Sequence, residues 1–250
     1  MVTSADNPWA IQLRTNDIMW YKENLDNIAF KKLYKLIGPT GSVAWIDGDI
    51  AFSNPKWVDE TLRLLKEFKF VQLFSRCHSL GPNSEILTDD PSFAYQWCNK
   101  LDTPQKRGRS GGAWAATLET LHATDYLVDW DIVGASDWYH VFSLTNQTPY
   151  TTTTCRAKNE RHAEIAKKYV NGSVWYVDAI LIHFFHGWPA DRGYGTRGQI
   201  LIRNKFDPDV DVGYREDGLL YFTTDKPVMH QDVVNYFRSR KDHGVEKVLS

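Results

Sequence analysis

An α/β fold, a sheet covered by helices, is predicted by three observations. Strand patterns alternate with helical periodicity along the first third of the chain. The short apolar run Val43-Ala44-Trp45-Ile46 ends in Asp47-Gly48-Asp49, as a strand does where it leaves a sheet. A length of 250 residues with 42% apolar content suits one sizeable core, so a single domain over residues 1–250 is expected. Alternation of this kind favours a largely parallel sheet whose ligands sit beyond the carboxyl ends of the strands.

The elements follow from periodicity and punctuation. Ala10 to Arg14 reads as a short strand, and Trp20 to Leu36 as a helix with Tyr21, Leu25, Ile28, Ala29, Leu33 and Leu36 inward. Gly38-Pro39 stops that helix, and Val43 to Ile46 reads as a buried strand. Asn54-Pro55 opens a second helix with Val58, Leu62, Leu65 and Phe68 inward, and Phe70 to Phe74 forms the next strand. Residues Ser75 to Pro91 have the Gly, Pro, Asn and Asp density of a loop. Helical patterns resume at Leu118 to Ala123, Asp137 to Leu144 and Arg161 to Val170, followed by a strand from Val174 to His183 and a terminal amphipathic helix from Val228 to Arg240. The chain thus divides into a strand–helix half (1–74), a less regular half (75–227) and a C-terminal helix (228–250).

Composition excludes several classes. A net charge of −2 gives no general attraction for nucleic acid or an anionic membrane. Cys77, Cys98 and Cys155 are too scattered for a zinc knuckle or a Cys-x-x-Cys redox pair, which fits a reduced, cytoplasmic setting. No segment approaches the length of a membrane span, so no membrane partner is expected. With 10 Trp, 12 Tyr and 12 Phe, the chain has rings for a core and for platforms on which sugars or bases stack.

Chemistry concentrates in four segments. In an extended segment the side chains of Asp47 and Asp49 share one face, so both carboxylates can converge on a hard cation; the alternative is an ordinary Asp-Gly turn. His183-Phe184-Phe185-His186 offers imidazoles on opposite faces of a strand, which reach one metal only if the chain turns between them, and it lacks the glutamate of a helical zinc protease. Arg192-Gly193-Tyr194-Gly195-Thr196-Arg197-Gly198 has dinucleotide-binding glycine spacing without a strand–helix–strand unit around it, so it reads as a lid whose arginines clamp phosphate oxygens. Lys106-Arg107-Gly108-Arg109-Ser110-Gly111-Gly112 is a basic, glycine-rich loop suited to close approach to phosphate, or a solvated surface loop. Asp207-Pro208-Asp209-Val210-Asp211 lacks the glycine and terminal glutamate positions of a calcium loop and reads as a turn.

In this order the motifs resemble a GT-A glycosyltransferase. Trp20-x-Lys22-Glu23-Asn24, Val43 to Ile50, Val71 to Phe74, Leu80-Gly81-Pro82 and Phe206-Asp207-Pro208 are similar to predicted glycosyltransferases of tailed bacteriophages. The resemblance implies a Rossmann-type mixed sheet flanked by helices, lacking part of the usual N-terminal nucleotide-binding unit, which another chain or an upstream segment would complete. It implies a metal site of Asp47, Asp49 and His186, with His183 as the alternative ligand, holding Mn2+ or Mg2+. Gly111-Gly112-Ala113-Trp114 resembles the Gly-Gly loop of β-1,4-galactosyltransferases, which borders the sugar, and Gly134-Ala135-Ser136-Asp137 resembles the segment bearing their catalytic aspartate. Asp137 is then the expected base, although it also suits a helix N-terminus. Lys22, Asn27, Asp47, Gly111, Gly112, Trp114, Arg192, Tyr194 and Arg197 are the implied donor-binding residues. The implied activity is inverting transfer of a sugar from a nucleotide diphosphate to an acceptor hydroxyl, on a glycan or a hydroxymethylated DNA base, in the host cytoplasm if the chain is phage-encoded. A carbohydrate- or nucleotide-binding module without turnover and a metal-dependent phosphoesterase are the alternatives.

Overall fold

The computed structural model describes residue 7 and residues 10–101, 108–147 and 154–240. Its elements are α1 (Lys22–Ile37), β1 (Ser42–Ile46), β2 (Ile50–Phe52), α2 (Trp57–Leu64), β3 (Phe70–Gln72), β4 (Arg76–Leu80), β5 (Ile86–Pro91), α3 (Phe93–Cys98) and β6 (Ala113–Thr117). They continue with α4 (Leu118–Ala123), α5 (Ser136–Leu144), α6 (Arg156–Tyr169), β7 (Val174–Tyr176), β8 (Ile180–His183), α7 (Gly198–Arg203), β9 (Val212–Tyr214), β10 (Leu220–Phe222) and α8 (Pro227–Ser239), with a 3-10 turn at Pro189–Arg192.

The fold is mixed α/β, built on two four-stranded mixed sheets and a hairpin. One sheet has the order β1-β6-β3-β7 and the other β2-β8-β4-β5, while β9 and β10 pair separately. Only β3 with β7 and β4 with β8 are parallel; the other pairings are antiparallel. The expected largely parallel sheet is therefore corrected. Antiparallel neighbours arise because Ser75 to Pro91, expected as a loop, supplies the β4–β5 hairpin, and because Ala113 to Thr117 inserts as β6 between β1 and β3.

Alternation across β3 and β6 separates two cores. Phe70, Trp114 and Ala116 face one side with Phe30 of α1, Leu118 and Leu121 of α4 and Phe142 of α5. Val71, Ala113 and Ala115 face the other, where they meet Cys77 of β4 and Leu181 of β8. The second core is thus shared between the sheets and locks one against the other. A third cluster joins Met19, Trp130 and Ile132 to α7, α8 and the β9–β10 hairpin.

Several expected faces differ from those observed. Ala10 to Arg14 forms no strand among the described residues. α1 buries Glu23, Asn24, Asn27 and Phe30, whereas Leu25 and Leu36 are exposed. Hydrogen bonding to the 127–129 segment sets that orientation, as Asn24 and Asn27 both donate to Asp129 Oδ2, at 3.1 and 3.0 Å. In α2, Thr61 and Leu64 are buried while Val58 and Leu62 face out. β1 is an edge strand covered on one side by α1, so Val43 and Trp45 pack inward and Ile46 is exposed. The expected strand from Val174 to His183 is two strands in different sheets, joined across Val177-Asp178-Ala179. The turn at Asp207 to Asp211 is present, closed by Asp211 N donating to Asp207 O at 2.7 Å. Lys106, Arg107 and the last ten residues of the 228–250 segment lie outside the described residues. Among the described residues no helix is long and apolar enough to cross a membrane.

Candidate functional site

The seam between the two sheets opens into a cleft of about 1320 Å³. Its walls come from the end of β1, the 108–112 and 131–139 segments, and the stretch from His183 to Ile202. It contains Lys22, Asp47, Asp49, Gly111, Gly112, Asp137, His183, His186, Arg192, Tyr194 and Arg197 together. Two residues expected beside a donor, Asn27 and Trp114, are not among those that line this cleft. Asn27 is buried, accepting from Leu127 N at 3.0 Å and donating to Leu127 O at 2.9 Å, so it fastens α1 to the core. Trp114 is a core side chain whose indole donates to Ser110 O at 2.7 Å; it reaches only a small pocket beneath the cleft.

The chain turns at Gly48, and the two carboxylates that flank it have different partners. Asp47 N donates to Gly112 O at 2.9 Å, and its carboxylate is ion-paired with Lys22. Burial alone would lower the Lys22 ammonium, but Asp47 and Glu23 hold it above the usual lysine range. Asp49 O accepts from Phe184 N at 2.8 Å, and its Oδ2 lies 3.1 Å from His186 Nε2 and 3.8 Å from His183 Nε2.

Asp49, His183 and His186 present ligand atoms within 4.8 Å of one another, and Asp47 stands outside this cluster. His183 ends β8 opposite Ile50, and the chain then leaves the strand, so that both imidazoles reach the same place. Burial, reinforced by the Arg109 cation, pushes the His183 imidazolium down to about 4, which leaves the ring neutral with a lone pair for a cation. Two imidazoles and a carboxylate form a set that suits a first-row transition ion better than magnesium.

Cations flank this cluster. Arg192 Nη2 lies against both ring nitrogens of His186, nearer to Nε2 and 2.8 Å from Nδ1, and its Nη1 donates to the Tyr194 hydroxyl at 3.0 Å. Arg197 stacks over the Tyr194 ring at 5.0 Å. Gly134, at φ +91°, lets that guanidinium come close, since a Cβ there would lie 3.1 Å from Arg197 Nη1.

Asp137, the second residue of α5, stands on the cleft wall. Ser110 Oγ donates to its Oδ2 at 2.8 Å, and the backbone of Gly111 passes so near that a Cβ would lie 2.8 Å from the same oxygen. Three further carboxyls line the cleft that motif reasoning did not place there: Asp90 from β5, Glu23 and Asp131. Glu23, accepting from Trp20 Nε1 at 2.7 Å, is pushed up to about 8 by burial, with Lys22 offsetting part of the rise. Asp131 is pushed up to about 7 by burial, against the pull of Val133 N–H and Arg197. The detectable signal for Asp131 was its place in the apolar run Val128-Asp129-Trp130-Asp131-Ile132-Val133, where carboxylates need a partner or a pocket.

No family model, curated protein or solved structure matches this chain. The functional reading therefore rests on the geometry of the cleft.

Proposed function

We propose that this chain is a metal-dependent glycosyltransferase that moves a sugar from a nucleotide diphosphate to an acceptor hydroxyl with inversion. The observation that carries the reading is the meeting of Asp49, His183 and His186 in the same cleft as Arg192, Arg197 and Asp137. A divalent cation held by those three ligands, Mn2+ in preference to Mg2+, would supply charge neutralisation for a departing diphosphate. Arg192 and Arg197 donate to the phosphate oxygens, a task for which planar guanidinium groups are suited. Asp137 takes the proton of the attacking hydroxyl, and the hydrogen bond from Ser110 holds its carboxylate toward the cleft. Attack from the side opposite the leaving group inverts the anomeric centre. The acceptor is a glycan or a hydroxymethylated DNA base, and steep weakening of acceptor binding by salt would select DNA.

A panel of nucleotide sugars with and without Mn2+ tests the proposal. A true donor at about a hundredfold excess over its dissociation constant stabilises the fold by roughly 2 to 3 kcal/mol. Asp137→Asn is expected to keep that stabilisation and lose transfer. Stabilisation with no transfer in the unaltered chain would make it a binding module, and phosphate release from simple esters would make it a phosphoesterase.

A further inference from the structure

One turn beyond Asp137, α5 carries a second titratable side chain to which the mechanism gives no task. His140 is 5% exposed, and among the described residues neither of its ring nitrogens has a hydrogen-bond partner. Leaving a buried polar group unpaired costs about 1–3 kcal/mol, so such atoms are met by protein or by water. Asp137 and His140 both line a pocket of about 20 Å³ beneath Gly111 and Gly112. One water needs roughly 10–15 Å³ and two to four polar partners. The pocket offers both: its walls are largely the apolar Trp45, Trp114, Leu127 and Val141, and its polar side chains are those of His140, Asp137, Glu23, Lys22 and Ser110.

The bonds already made leave matching sites open. Ser110 occupies Asp137 Oδ2, so Oδ1 remains to accept. The His162 ring lies 5.8 Å from that of His140 with its Nε2 3.1 Å from Tyr126 O, which commits that N–H and sets the tautomer of His162. Burial holds both imidazoles neutral, and a neutral imidazole offers one donor and one acceptor.

We infer that His140 is a positioning residue for Asp137, joined to it by one buried water in this pocket. The water donates to Asp137 Oδ1 and bonds a His140 ring nitrogen, so that Ser110 on one side and the water on the other orient the carboxylate toward the cleft. The role assigned to this link rests on Asp137 being the proton acceptor in transfer; the link itself does not.

Two measurements on the full chain test it. The first is the titration of the Asp137 carboxyl, followed by carbon-13 NMR in the unaltered chain, His140→Phe and His140→Gln. Loss of a hydrogen bond to the charged form raises a carboxyl, so His140→Phe is expected to raise Asp137 by about one pH unit and His140→Gln to restore most of the difference. Lys22, Glu23, Asp131 and Arg197, which also act on Asp137, are the same in all three proteins. The second is a crystal structure of the unaltered chain, expected to show density within hydrogen-bond distance of both His140 and Asp137. Equal titration in all three proteins, or a pocket without that density, overturns the inference. Should His140→Phe fail to fold, His140→Leu takes its place in the titration, and the density decides as before. A shifted Asp137 in a chain that transfers no sugar leaves the water link standing and removes only the transferase reading.

Discussion

Replacing Asn27 by alanine separates a structural role from a ligand-binding one. Asn27 is 3% exposed and makes three hydrogen bonds, two with the backbone of Leu127 and one to Asp129. Asp129 is itself buried and also accepts from Asn24 at 3.1 Å and from the Tyr214 hydroxyl at 2.5 Å, so Asn27 belongs to a network that ties α1 to the β9–β10 hairpin. Each net bond contributes about 0.5–1.5 kcal/mol, and the stranded Leu127 N–H and C=O add desolvation cost, giving an expected loss of about 3 kcal/mol. For a chain of this size that corresponds to a fall in Tm of roughly 6–12 °C. Denaturant unfolding with matched thermal scans measures it, and nucleotide-sugar affinity is expected to stay within about twofold below the transition. A loss under about 1 kcal/mol, accompanied by selective loss of ligand binding, would refute the argument and return Asn27 to the ligand.

Three further outcomes follow from the same geometry. Arg192→Ala is expected to tighten Mn2+ binding about tenfold, measured by electron paramagnetic resonance, because the guanidinium that donates to His186 competes with a cation there; an unchanged or weaker affinity contradicts this. Gly111→Ala is expected to lower transfer about a hundredfold with the fold intact, since its Cβ would lie 2.8 Å from Asp137 Oδ2 and push the carboxylate aside; wild-type turnover would place the reacting carboxylate elsewhere. Burial alone would raise Asp211, but Lys226, Thr224 and the Asp207 N–H hold its carboxyl below the usual range. A depressed carboxyl stabilises the fold above its unfolded value of about 4 and loses that contribution as pH falls through the folded value. Lys226→Met should therefore move the onset of acid unfolding to higher pH, read from urea midpoints between about pH 3 and pH 5, and coincident curves would count against the ion pair.

The fold class and most helices were legible because their signals are local. α4, α5 and α8 begin and end within a residue or two of their expected bounds, where apolar periodicity is clear, and Thr117 caps α4. The faces of α1 and α2 were not legible: partners a hundred residues away turn Asn24 and Asn27 inward, and no periodicity in apolar residues encodes a polar network. The β4–β5 hairpin read as a loop because its strands carry Ser79, Thr88, Asp89 and Asp90 on a solvated surface, with β5 as an edge. Within the cleft, Asp49, His183 and His186 were identifiable from residue type, but the convergence of both histidines depends on the chain leaving β8 at His183. The Lys22 and Asp47 pair, and the burial that raises the Glu23 carboxyl, depend on neighbours brought in by folding.

Gly48 has a mechanical consequence. It sits where the chain passes from one sheet to the other, with Asp47 bonded to Gly112 on one side and Asp49 to Phe184 on the other. Leu73 to Ser75, between β3 and β4, and Val177 to Ala179, between β7 and β8, make the same passage in the same direction. Three short straps thus tie one sheet to the other along the seam. Lengthening any of them by a single residue would slide the imidazole side of the seam relative to the Asp137 side, and would detune the site without touching any group that does chemistry.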